Sequence, residues 1–88
     1  MTESYLMHYV YILKMSNEKL YTGRSDDLKR RLNEHNNGRV KSTKNYRPLK
    51  LIYYEAFLEK EDSVRRELYL KTSTGKRMLK LLLKKSNN

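Results

Sequence analysis

Residues 8–15 read HYVYILKM, a run of β-branched and aromatic side chains that predicts a strand. Residues 20–24 (LYTGR) repeat the pattern on a shorter scale. Asn17-Glu18-Lys19 between them has turn chemistry, so an antiparallel hairpin is expected. The period then changes. Ser25 and Asp26 are N-cap residue types, Asp27 suits a first helical turn, and Leu28 and Leu32 recur at helical spacing. That helix is expected to run to about Asn36, with Gly38 as its stop signal. A basic loop follows over residues 39–48. Residues 49–57 (LKLIYYEAF) predict a third strand. Both of its alternating sets are largely apolar, which suits a central place in the sheet. Two more helices are expected over residues 60–71 and 76–85, interrupted at Ser73, Thr74 and Gly75. Leu79, Leu82 and Leu83 of the last helix read as core. The order ββαβαα describes an α+β fold, a small three-stranded, mostly antiparallel sheet flanked by helices. A single domain over residues 1–88 is expected, with its core at about 8–84. Residues 1–7 read as a short leader and residues 86–88 as a frayed end.

Composition narrows the chemistry. The chain has no cysteine and only two histidines, His8 and His35, which excludes disulfide staples, a cysteine zinc site and a histidine-rich metal site. Twenty Lys plus Arg against ten Asp plus Glu leave a net charge of +10 on 88 residues. Such an excess points to a polyanionic partner, and nucleic acid fits best, because phosphate neutralisation releases counterions. The longest apolar run, Leu81-Leu82-Leu83, is far short of a membrane span, and the N-terminus lacks a signal-peptide pattern. No membrane partner is expected, and a cytoplasmic location is.

At about 100° per residue, Leu28 and Leu32 define the buried stripe of the first helix. His35 falls about 20° to one side of Leu28 and Arg31 about 60° to that same side. These two side chains therefore sit along the edge of the sheet-facing surface, one turn apart. The residue types alone allow two readings: Arg31 snorkels at the core edge while His35 caps the last carbonyls, or both serve a site. The second helix repeats the pattern, with Val64 and Leu68 as its apolar stripe and Glu67 about 60° off Val64. Glu67 either pairs with Arg65, Arg66 or Lys71, or binds a hard cation, since Mg²⁺ takes one or two carboxylates with waters and phosphate oxygens.

Taken together, these residues resemble the GIY-YIG endonuclease superfamily. Tyr9-Val10-Tyr11 followed by Tyr21-Thr22-Gly23 looks like its paired motif, with Tyr9 and Val10 where the family has Gly and Ile. Arg31, His35 and Glu67 stand at the spacings of its signature. The short chain is most similar to the small stand-alone branch, related to the N-terminal nuclease domain of the repair excinuclease. The resemblance implies a metal-dependent endonuclease hydrolysing DNA phosphodiester bonds with one Mg²⁺ (or Mn²⁺). It implies Tyr11, Tyr21, Arg31, His35 and Glu67 as catalytic residues, with Glu67 holding the metal. Arg31 would offset transition-state charge, and Tyr21 or His35 would assist proton removal from water. Arg24 matches a basic position of the excinuclease branch.

Phosphate contacts are expected from Arg24, Arg39, Lys41, Thr43, Lys44, Arg47, Lys71, Lys76 and Arg77, which position a substrate without reading sequence. The expected partner is branched or damaged duplex DNA, in repair or recombination, with targeting supplied by a partner protein because no appended DNA-targeting domain is seen. The alternative is a non-catalytic nucleic-acid-binding protein that keeps the fold. A shared site also requires Tyr11 and Tyr21 on one sheet face. A three-residue loop at Asn17-Glu18-Lys19, pairing Tyr11 with Ser25 and Met15 with Tyr21, satisfies that parity, whereas a four-residue loop does not.

Overall fold

The computed structural model describes residues 6–87. The expected leader lies outside the described residues as far as residue 5, and Asn88 lies outside them as well. Three strands, β1 (His8–Lys14), β2 (Leu20–Ser25) and β3 (Lys50–Phe57), form a fully antiparallel sheet in the order β2-β1-β3. Helices α1 (Leu28–Asn36), α2 (Lys60–Leu70) and α3 (Ser73–Leu82) complete the ββαβαα order. β1, not β3, is the central strand. Four consecutive β1 residues, Val10 to Leu13, are buried, so both of its faces are covered. β3 keeps Lys50 and Tyr54 exposed, as an edge strand does.

The hairpin joining β1 and β2 has a three-residue loop, Ser16-Asn17-Glu18, one residue earlier than expected. The Met15 N–H donates to the Lys19 carbonyl at 2.9 Å and the Glu18 N–H to the Met15 carbonyl at 3.0 Å. Glu18 adopts a φ of 70°, the left-handed residue that closes a three-residue hairpin loop. The shift moves each cross-strand partner by two residues. Tyr11 faces Gly23 and Leu13 faces Tyr21, so parity survives and both motif tyrosines share a sheet face.

α1 is capped by Asp27, whose carboxylate accepts from the Arg30 N–H at 3.1 Å. The expected caps are engaged elsewhere: Ser25 Oγ bonds the Asp27 backbone, and Asp26 pairs with His8 and Arg24. At the other end the Gly38 N–H donates to the His35 carbonyl and the Arg39 N–H to the Glu34 carbonyl. Gly38 sits at φ 72°, which makes this the paired C-terminal cap that glycine favours.

Alternation along β1 divides the interior. Val10 and Ile12 face α2 and α3, where they meet Leu70, Leu79 and Leu83 in the main core. Tyr11 and Leu13 face the side covered by α1 and by the loop that follows it. α3 starts three residues earlier than expected, because Thr72 caps it: its hydroxyl accepts from the Gly75 N–H at 3.1 Å. Ser73, Thr74 and Gly75 thus form the first helical turn. Leu82 is half exposed and leaves the core to Leu79 and Leu83. The chain is not frayed at residues 86 and 87, since the Asn87 N–H donates to the Leu83 carbonyl and the Lys14 ammonium to the Asn87 carbonyl. No helix among the described residues is long and apolar enough to cross a membrane.

Candidate active site

Gly23 explains how Tyr11 reaches its position. A Cβ at Gly23 would collide with both Cζ and the hydroxyl oxygen of Tyr11. Only a residue without a side chain lets the Tyr11 ring lie across β2. The glycine of the second motif is therefore required by the tyrosine of the first.

The Tyr11 hydroxyl meets His35 Nε2 at 2.7 Å. On the far side of the ring, His35 Nδ1 meets Thr43 Oγ1 at 2.8 Å. Tyr11, His35 and Thr43 are all buried, the last two completely. Tyr21 packs its ring edge-on to His35, with centroids 5.3 Å apart, and lies 6.4 Å from the Tyr11 ring while remaining partly exposed. Arg31 pairs with Glu34 at 3.0 Å, and its side chain remains 36 % exposed, open to an anion from solvent. Glu34 is absent from the expected set, although its i,i+3 spacing from Arg31 signals the pair.

Burial pushes the Tyr11 phenol up to about 12, and the charges of Tyr21 and Glu67 act in the same direction while the Arg31 guanidinium opposes them. Burial, followed by the Arg31 charge, also holds His35 below its ordinary value, so its imidazole is neutral. Hydrogen bonding to Glu34 keeps Arg31 firmly protonated. A neutral His35 with both nitrogens engaged acts on Tyr11 and has no lone pair open to solvent. Of the residues read as proton acceptors, Tyr21 has the access.

Glu67 takes a different place from the one its helical wheel suggests. The inward face of α2 carries Ser63, Arg66, Glu67 and Leu70, while Val64 and Leu68 point to solvent at 38 % and 62 % exposure. Polar anchors cause this rotation. Arg66 makes a bidentate bridge to Glu55 of β3 at 2.8 and 2.9 Å. Ser63 accepts from Arg24 of β2 at 3.3 Å. Pinned at both edges of the sheet, α2 presents Glu67 inward, where the Tyr11 hydroxyl feels its charge. Its carboxylate also pairs with Lys71 at 3.1 Å, one of the expected partners.

The expected phosphate contacts separate into groups. Arg39, Lys41, Lys44 and Arg47 are exposed on the loop after α1, with Arg47 donating to the Lys44 and Asn36 carbonyls. Lys76 and Arg77 are exposed on α3, across the sheet. Two residues do not fit a phosphate-contact role. Arg24 is mostly buried in its pair with Asp26, and Thr43 has no exposed surface. Among the described residues no group of three or more His, Cys, Asp or Glu is placed to hold a metal.

Residues 7–80 match the GIY-YIG catalytic domain. The chain belongs to that family. The GIY-YIG domain here is 44 % identical over 81 residues to a UPF0213 protein of Clostridium perfringens, covering 91 % of this chain and 87 % of the relative. It is 42 % identical over 76 residues to a UPF0213 protein of Staphylococcus saprophyticus, covering 85 % and 93 %. The solution structure of a UPF0213 protein from Bacillus halodurans superposes with a TM-score of 0.57 at 35 % identity, covering 86 % of this chain and 84 % of that one. These relatives are small proteins of similar length, and the GIY-YIG catalytic domain takes up nearly all of this chain.

Proposed function

We propose that this chain is a metal-dependent DNA endonuclease that hydrolyses phosphodiester bonds and selects substrates by structure rather than sequence, with branched or damaged duplex as the substrate class. Membership of a catalytic-domain family supports an endonuclease acting on DNA. The observation that carries the reading is the convergence on the Tyr11 hydroxyl: His35 bonds it, Arg31 and Glu67 act on it through charge, and Tyr21 packs beside it. Arg31 has free guanidinium donors for a non-bridging phosphate oxygen and stabilises charge developing there. Tyr21, with solvent access, acts as its phenolate, taking the proton of the attacking water and returning to the neutral phenol. The loop cations Arg39, Lys41 and Lys44 hold the phosphate backbone without reading bases.

An inward carboxylate such as Glu67 fits a hard cation that keeps several waters and takes phosphate oxygens as its remaining ligands. Glu67 would hold Mg²⁺ (or Mn²⁺), which when bound polarises the scissile phosphate. The competing reading, a nucleic-acid-binding protein without turnover, draws on the Glu67–Lys71 ion pair, which competes with a metal for the Glu67 carboxylate. Nicking of branched and linear duplex DNA, with Mg²⁺ and with chelator, separates the two. Arg31→Ala should lower turnover by about 10²- to 10³-fold, the loss typical of one transition-state donor. Glu67→Ala should abolish the cleavage that added metal supports. Equal cleavage by wild type and both variants would overturn the assignment of the site.

A further inference from the structure

Thr43 is the point at which the loop after α1 enters the interior. Its hydroxyl, the His35 imidazole and the Tyr11 hydroxyl form one buried line, Thr43 Oγ1 to Nδ1 at 2.8 Å and Nε2 to the Tyr11 oxygen at 2.7 Å. Three groups share two hydrogen bonds. The direction in which protons run along that line decides what Tyr11 can offer to anything outside it.

A neutral imidazole carries a single N–H. Two arrangements therefore exist. In the first, the Tyr11 O–H donates to Nε2 and Nδ1–H donates to Thr43. The Thr43 hydroxyl proton is then left over, and among the described residues that hydroxyl has no partner besides His35. Thr43 is fully buried, so water does not replace the missing acceptor, and a buried donor without an acceptor is destabilising. In the second, the Thr43 O–H donates to Nδ1, Nε2–H donates to the Tyr11 oxygen, and the leftover proton is that of the Tyr11 hydroxyl, at the end of the line beside the partly exposed Tyr21 ring. With Nε2–H directed at that oxygen, the phenolic proton is the one left for a group outside the cluster.

We propose that Thr43 is a positioning residue that fixes His35 as the Nε2–H tautomer and so makes Tyr11 a hydrogen-bond donor to a phosphate oxygen of the substrate. The substrate half of this statement rests on the endonuclease reading, and the tautomer half does not. A phenol pushed up to about 12 by burial keeps its proton at neutral pH, as a donor must. Thr43 thus exchanges the phosphate contact expected from the sequence for a role two bonds behind Tyr11.

The test uses the full chain labelled with ¹⁵N. Long-range ¹H–¹⁵N spectra of the wild-type protein without DNA should find His35 protonated on Nε2 and bare on Nδ1. The reverse, a proton on Nδ1, overturns the proposal. Thr43→Val removes the hydroxyl while keeping a similar shape. Its His35 nitrogen shifts should draw together as the single tautomer is lost. Its turnover on branched DNA should fall roughly 10- to 100-fold, the range for residues that orient a functional imidazole, with KM unchanged. Thr43→Ser restores the hydroxyl and should recover both the tautomer and the turnover, whether or not the Val variant folds. Turnover lost equally in the Ser and Val variants overturns the positioning role. Wild-type protein that shows the Nε2–H tautomer but cleaves no DNA with Mg²⁺ overturns the endonuclease reading and supports the tautomer assignment.

Discussion

On the side of the sheet facing α2 and α3, Val10 and Ile12 close against Leu70, Leu79 and Leu83 in a cluster whose buried members are all aliphatic. On the side facing α1, the same strand sends Tyr11 into His35, and His35 into Thr43, so that part of the interior is held by hydrogen bonds. The first interior is non-directional and tolerates any shape of the right volume. The second works only if each polar group finds its partner. One central strand with a period of two thus supplies a stabilising core and a chemical site from alternate residues.

The largest expected effect breaks the apolar side. Leu70 is fully buried, and Leu70→Ala should cost about 2–5 kcal/mol of stability, from lost transfer energy and the cavity left behind. Urea unfolding measures it. The Tyr11–His35 contacts lie on the other face, so the His35 ¹⁵N pattern of the folded variant should match that of the wild type. A changed pattern would mean that the two interiors are coupled.

A smaller effect sharpens the polar side. His35 is held neutral in the folded protein, whereas an unfolded histidine takes up its proton near pH ~6.5. Below that pH the unfolded state binds more protons than the folded one, so stability falls as pH falls and recovers as pH rises. The slope should persist down to the lowered value of the folded imidazole. His35→Gln should remove this slope, and the difference between the two proteins in urea midpoint from pH 7.5 to pH 5 isolates it. A variant slope as steep as that of the wild type would mean that His35 is charged in its pocket.

Much of the polar side is legible in the sequence because its residues lie close together in the chain. Tyr11, Tyr21 and Gly23 belong to one hairpin, and Arg31 and His35 to the helix it feeds, so strand parity and helical spacing suffice to bring them together. Thr43 reads as a surface contact because nothing local says that a basic loop turns one hydroxyl inward. β3 reads as central because its residues are apolar on both sets. Its exposed Tyr54 and Lys50 follow the strand order, in which β1 takes the place between β2 and β3.

α2 gives the sharpest contrast and the smallest expected effect. The spacing of Val64 and Leu68 marks them as its buried stripe, yet Leu68 is 62 % exposed and lines a shallow surface groove with Val64, Lys60, Glu61 and Arg65. Hydrophobic periodicity assumes that apolar burial sets the rotation of a helix. Here a bidentate Arg66–Glu55 bridge and the Arg24–Ser63 contact set it instead. Both bridges join residues distant in sequence, so no local pattern reports them. If the rotation is as described, Leu68→Ser should change stability by no more than about 0.5 kcal/mol in either direction, as exposed substitutions do. A loss on the scale of Leu70→Ala would mean that α2 turns its apolar stripe inward. Glu67 would then move to the edge of the packed face, and its influence on Tyr11 would have to come from there.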